Sequence, residues 1–152
     1  MSLQQQITDD LKAAMKARDR DRMGTLRLLV AAVKNAAVAE GLGPQGELAD
    51  DAIIRIVQTE TKRRREAAQA FKDAGRDEQA AKEEYEAEVY GAYLPAQLSD
   101  DELAAIIDTA VAATGAEGPQ DMGKVMKAAM GEVAGRADGS RVSALVKARL
   151  VG

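Results

Sequence analysis

Histidine and cysteine are both missing from the 152 residues of the chain. Without cysteine there can be no disulfide, no thiolate zinc site and no thiol nucleophile. Without histidine there is no imidazole base and no imidazole metal ligand. Carboxylates, lysines, tyrosines and hydroxyls are what remains for chemistry. The sequence therefore predicts no catalytic residue, no metal site and no cofactor.

Long apolar segments are missing too, since no run approaches the ~20 residues that a membrane-spanning helix needs. The opening MSLQQQITDD has neither the basic region nor the apolar region of a signal peptide. The formal net charge of −4, from 21 basic and 25 acidic residues, argues against wholesale electrostatic wrapping of nucleic acid. We expect a cytoplasmic protein with no membrane partner.

Aromatic residues make up only 3% of the chain, so the core must consist of Ala, Leu, Ile, Val and Met. Their spacing of three and four residues predicts helices almost throughout and no strand. We expect an all-α fold with four helices before Pro95, three shorter helices after it, and domains over 1–94 and 95–152. The predicted helices start near Leu3, Arg20, Asp50, Asp77, Ser99, Pro119 and Asp138.

Local signals mark several of these helix ends. Ser2 with Gln5, and Ser99 with Glu102, fit capping boxes, and Gly75 fits the residue just past a helix C-terminus. The segment GLGPQGE, residues 41–47, predicts a loop. Asp138 is expected to cap the last helix.

Charge is distributed unevenly in the second half of the chain. Residues 96–120 contain five acidic side chains and no basic one, whereas residues 121–152 contain six basic and three acidic ones, a net charge of +3. Lys124 and Lys127 share a helix face, and Arg136 and Arg141 flank the Asp138 turn. These residues form either a phosphate-contacting patch or an ordinary solvated surface.

Other charged and aromatic residues favour structural roles. Consecutive residues of the run 62–65, KRRR, fan around a helix and cannot all face one partner. The acidic stretch around Glu84 and Glu86 predicts a solvated helix face. Tyr85 and Tyr93 fall on the apolar stripe of the fourth helix and are expected in the core, whereas Tyr90 falls off it.

Two glycines interrupt the sixth helix, Gly123 and Gly131, where each costs ~1 kcal/mol relative to alanine. Close packing against another helix is the interpretation that we favour. Close approach of a ligand backbone is the alternative.

Three segments together resemble the YqeY family: LKAAMKARDRDRMGTLRLLVAAVKN, YLPAQLSDDEL and DMGKVMKAAMGEVAGRADGSRVSALVKARL. These small stand-alone proteins are similar to the tail of GatB, a subunit of the glutamine-dependent tRNA amidotransferase. The resemblance covers essentially the whole chain in the same order, apart from the loop between Gly41 and Leu48. It implies a four-helix N-terminal bundle joined to a three-helix C-terminal bundle.

In the amidotransferase the tail region contacts tRNA, while phosphorylation and amide formation occur in other domains. The resemblance therefore implies tRNA as a partner. It marks candidate RNA contacts at the residues that match the tail motif: Lys124, Lys127, Gly135, Arg136, Asp138, Gly139 and Lys147. Arg141 joins them because it flanks the same turn. A carbon–nitrogen ligase activity with glutamine as amido donor is implied for the relatives, but no group in this chain supports it independently.

Three functional hypotheses follow. The leading one is a non-catalytic, tRNA-interacting accessory protein related to the amidotransferase. The alternative is a helical adaptor that binds protein, with amidotransferase subunits as the expected partner, because the chain is acidic overall and its helices are rich in alanine. An independent enzyme is the third.

Overall fold

The computed structural model describes residues 1–43 and 45–151. Within these ranges the chain forms seven α-helices and a short 3-10 helix, Pro119–Asp121, but no strand, so the all-α prediction is confirmed. The α-helices are α1 (Leu3–Ala17), α2 (Arg20–Ala39), α3 (Asp50–Asp73), α4 (Asp77–Gly91), α5 (Asp100–Thr114), α6 (Met122–Val133) and α7 (Gly139–Val151). Pro44 of the predicted loop and Gly152, the end of the predicted second domain, lie outside the described residues.

Two serines cap helix N-termini, but only one completes its capping box. The Ser99 hydroxyl accepts the Glu102 N–H, and the Glu102 carboxylate accepts the Ser99 N–H. These hydrogen bonds lower the pKa of Glu102. The Ser2 hydroxyl accepts the Gln5 N–H at 3.1 Å, but the Gln5 amide donates to Asp9 instead of returning to the cap. The first capping box is therefore half formed.

The chain divides into two compact units, Met1–Leu94 and Pro95–Gly152. Each unit has its own apolar core, and no residue that the structure describes belongs to both cores. The largest fully buried side chains of the first unit are Ile7, Leu26, Leu29, Ile53, Val57 and Tyr90. Those of the second unit are Leu103, Ile107, Val125, Val133, Val142 and Val146. Aliphatic residues dominate both cores, as the composition predicts.

A charged cluster lies inside the first unit. The Arg64 guanidinium on α3 contacts Glu60 one turn earlier and donates from Nε to Glu86 Oε2 on α4 at 3.3 Å. It also lies 5.2 Å from the ring centroid of Tyr90. Glu86 is only 7% exposed, so the prediction of a solvated face is wrong there. The Arg64 guanidinium compensates the buried carboxylate.

The tyrosines on and just after α4 agree only in part with the prediction. Tyr90 is fully buried, and its hydroxyl donates to the Thr25 carbonyl at 2.7 Å. Tyr93 is buried as expected and donates to the Asp10 carboxylate. Tyr85, however, is 37% exposed. The buried face of α4 is centred about 120° around the helix axis from the predicted stripe, and this rotation places Glu86 and Tyr90 beside Arg64.

Candidate nucleic-acid interface

The PAQL segment, residues 95–98, and the GRADG turn, residues 135–139, contact each other in the second unit. The Leu98 N–H donates to the Arg136 carbonyl at 2.8 Å, and the Gln97 side-chain amide donates to the Gly135 carbonyl at 3.3 Å. Leu98 and Ala137 are buried in the same apolar core. The first segment therefore holds the turn that leads into α7.

Left-handed backbone ends α6. Ala134 has a φ of 47° and Gly135 a φ of 85°, so the second of these positions needs the conformational freedom of glycine. Gly139 has no such need, because a Cβ there would lie 3.9 Å from Met130 Cε, an ordinary contact. Of the two predicted turn glycines, the backbone requires only Gly135.

Two of the predicted RNA contacts stabilise the helix ends around this turn. Arg136 donates from Nε to the Val133 carbonyl at 3.0 Å and from Nη2 to the Glu132 carbonyl at 2.7 Å. These bonds satisfy carbonyls that the end of α6 leaves without intrahelical partners. The Asp138 carboxylate accepts the Ser140 N–H at 3.1 Å and so caps α7, as expected. Arg136 and Asp138 thus have structural partners already.

Two arginines of α7 pair with acidic residues of α5. Arg141 Nη2 lies 2.6 Å from Asp100 Oδ1, and Arg149 Nε lies 2.9 Å from Asp108 Oδ1. The partners are eight residues apart on both helices, so the pairs repeat after about two turns. The sequence analysis did not predict these two ion pairs, although the equal spacing of eight residues on both helices could have indicated them. Much of the basic charge of α7 is therefore opposed by the acidic charge of α5.

Three lysines remain more available. Lys127 and Lys147 are exposed and make no ion pair or side-chain hydrogen bond within the described ranges. Lys124 is 71% exposed along its side chain and lies 4.0 Å from Asp121, at the outer limit of an ion pair. Lys124 and Lys127 lie about 60° apart around the axis of α6, on the side opposite the centre of its buried residues Val125, Ala129 and Val133. Lys147 projects from the exposed side of α7.

The two interior glycines of α6 share this exposed face. A Cβ built at Gly123 or at Gly131 would meet nothing within 4 Å, so the favoured explanation of close helix packing is wrong. Both positions are exposed, and Gly131 lies between Lys124 and Lys127 around the helix axis. We define Gly123, Lys124, Lys127 and Gly131 as the α6 outer face. It combines two cations with backbone that no side chain covers.

The sequence of residues 4–150 matches the model of one protein family, YqeY, described as Yqey-like protein. The chain belongs to the YqeY family. Comparison with curated proteins gives no match. The family match spans nearly the whole chain. It therefore covers both units of this YqeY protein, including the α6 outer face and the GRADG turn.

Nowhere in residues 1–43 and 45–151 do three acidic side chains converge as metal ligands. None of the helices in these ranges is long and apolar enough to cross a membrane. Burial raises the pKa of the Tyr90 hydroxyl to about 12, so this phenol stays protonated even when the pH equals its ordinary pKa of about 10.

Proposed function

We propose that this YqeY protein is a non-catalytic accessory protein that binds tRNA, related to the glutamine-dependent tRNA amidotransferase. In this proposal the first unit is a four-helix bundle, the second is a three-helix bundle, and the second unit carries the RNA contact. The carbon–nitrogen ligase activity with glutamine as amido donor belongs to relatives that have a catalytic portion. The proposed location is the cytoplasm.

One observation carries the proposal, namely the α6 outer face. Lys124 and Lys127 offer two cations on one side of a helix, and the uncovered glycines beside them let a phosphate backbone approach closely. Lys147 adds a third exposed cation in the same unit. Phosphates take precedence over bases as ligands here, because no aromatic side chain lies in residues 95–152.

The remaining candidates act through the turn. Gly135, Arg136 and Asp138 hold the end of α6 and the start of α7 in place. Arg141 pairs with Asp100, and Gly139 begins α7. In this proposal they position the two helices against the RNA, whereas Lys124, Lys127 and Lys147 touch it.

The test measures tRNA binding by mobility shift at about 50 and about 200 mM salt. We expect Lys124→Ala with Lys127→Ala to weaken binding and to lower the salt slope by roughly one per lost contact. The matched control is Lys12→Ala with Lys16→Ala on α1, which removes the same charge from two exposed residues of one helix. Equal binding by both double variants would remove the α6 outer face from the proposal.

A further inference from the structure

Helix α2 carries a second apolar stripe, on the side opposite its buried residues. We define Gly24, Leu28, Ala31, Asn35 and Val38 as the outer seam. Their spacing of four, three, four and three residues is the heptad spacing of a helix-pairing surface. All five are exposed, with Leu28 at 51% and Val38 at 54%.

The buried residues of α2 show that the outer seam is not needed by the core. Leu26, Leu29 and Val33 face the first core and are at most 3% exposed. At about 100° per residue, the centre of the outer seam is about 180° from the centre of this buried stripe. The helix is therefore apolar on two opposite sides, although the first unit covers only one of them.

A basic edge runs along the outer seam. Arg20, Arg27 and Lys34 recur every seven residues, at the position that flanks the seam in a heptad. All three are exposed, and none forms an ion pair or a side-chain hydrogen bond within the described ranges. Arg20 is flanked by Asp19 and Asp21, but no acidic residue lies within four sequence positions of Arg27 or Lys34. The charge of these two cations favours an acidic partner.

A groove extends the N-terminal end of the seam. It lies between α2 and α4 and has a volume of about 670 Å³. Its lining combines Leu28, Ala81 and Tyr85 with the charged residues Arg20, Asp21, Lys82 and Glu86. Tyr85 is the tyrosine that the core leaves exposed. At this end Ala81 and Tyr85 thus add apolar surface to the seam, with charged side chains around it.

We propose that the outer seam is a docking surface for an amphipathic helix of another protein, with a matching apolar heptad and acidic flanking residues. The partner helix lies along α2, its apolar residues packing on Leu28 and Val38 and its carboxylates pairing with Arg27 and Lys34. Asn35 sets the register, as a polar residue within a heptad seam does. This inference is independent of RNA binding by the second unit.

A second copy of the chain fits the charges less well. In antiparallel pairing of two copies, the basic edge faces itself. In parallel pairing, Arg27 faces Ala32 and Lys34 faces Ala39. Neither direction supplies a carboxylate to these cations. RNA fits the surface less well because its centre is aliphatic rather than cationic or aromatic.

The test uses the full chain and two labelled synthetic peptides. Both peptides have leucine at the two seam positions of each heptad, but one carries glutamate and the other lysine at the flanking positions. We expect the acidic peptide to bind at least tenfold more tightly in fluorescence anisotropy. Leu28→Glu with Val38→Glu should lower this affinity at least tenfold, whereas Met15→Glu, at another exposed apolar residue (48%), should leave it unchanged.

Charge reversal makes the test sharper. The variant Arg27→Glu with Lys34→Glu should prefer the basic peptide, while its circular dichroism spectrum should match that of the parent. No binding of either peptide, or equal binding of both, overturns the proposal. A concentration-dependent dimer that Leu28→Glu with Val38→Glu dissociates would assign the seam to a second copy. Loss of tRNA binding in that variant would assign it to RNA, and both results overturn the helix proposal.

Discussion

At the scale of single residues, the ion pair between Arg64 and Glu86 compensates a buried negative charge. Glu86 is 7% exposed, and the Arg64 guanidinium is the cation beside it. Taking away one partner of such a pair leaves the other charge buried without compensation. Replacing both residues by apolar ones leaves no buried charge that needs compensation.

We therefore expect Arg64→Ala to lower the free energy of unfolding by roughly 3 kcal/mol, the lower end of the range for a broken buried pair, because Arg64 retains some exposure. The double variant Arg64→Met with Glu86→Leu should recover most of this loss. Urea denaturation of both proteins measures the difference. A double variant as unstable as the single one would show that the pair itself stabilises the fold.

Tyr90 gives the stability a dependence on alkaline pH. Burial raises the pKa of its hydroxyl from about 10 to about 12, so the folded state favours the protonated phenol. This preference contributes roughly 2–3 kcal/mol to the free energy of unfolding. The contribution is fully present below about pH 10 and is lost as the pH rises through about 12. Urea unfolding at about pH 9 and about pH 12 should show this decline.

Tyr90→Phe should reduce the alkaline decline rather than abolish it. Tyr93 contributes as well, because burial and its hydrogen bond to Asp10 raise the pKa of its hydroxyl. The Phe variant should also lose roughly 1 kcal/mol at neutral pH with the hydrogen bond to Thr25. An unaltered alkaline decline in this variant would exclude Tyr90 as its source.

At the scale of helices, the glycines of α6 separate fold stability from RNA binding. Gly123 and Gly131 have open space around a built Cβ, so alanine fits at both positions. We expect each alanine variant to raise the free energy of unfolding by about 0.5–1 kcal/mol. If phosphates approach the α6 outer face, the same variants should bind tRNA more weakly.

For these glycine variants, thermal unfolding measures stability and mobility shift measures tRNA binding, and the two results are compared. Gly24→Ala is the matched control, since Gly24 is also an exposed glycine inside a helix with open space around a built Cβ, but it lies in the first unit. Variants that are more stable and bind tRNA equally well would show that the glycines have no part in RNA contact.

Helix positions could be predicted from the sequence better than the surroundings of individual side chains. The starts of α2, α3 and α4 follow from apolar spacing and acidic first turns. The burial of Glu86 could not be predicted, because the arginine that compensates its charge lies 22 residues earlier on another helix. The same holds for Arg141, which the sequence marks as basic but which pairs with Asp100 across 41 residues.

In the candidate site, too, positions on a helix could be predicted but the surroundings of individual residues could not. Lys124 and Lys127 could be identified from spacing alone, since residues three apart share a helix face. The open surroundings of Gly123 and Gly131 depend on how α6 lies in its unit, and a pattern within one helix does not specify that. The outer seam of α2 was overlooked for a related reason: a helix with two apolar sides does not indicate which side is buried.

At the scale of the whole molecule, two cores without shared residues predict separate responses to damage. Leu103→Ala removes a fully buried side chain of the second core and should cost about 2–5 kcal/mol there. Amide hydrogen exchange should then speed up across residues 95–151 and change little across residues 3–91. Leu29→Ala, in the first core, should give the opposite pattern. Equal acceleration in both units by either variant would contradict this prediction.

The long-range hydrogen bonds of the first unit have a consequence for protein synthesis. Tyr90 reaches back 65 residues to Thr25, and Tyr93 reaches back 83 residues to Asp10. At about 5–20 residues per second, the ribosome needs roughly 3–13 s to make the segment between Thr25 and Tyr90. Helices α1 and α2 therefore leave the ribosome seconds before Tyr90 and Tyr93, which bind to them. During this time the apolar surfaces of both helices are accessible to chaperones.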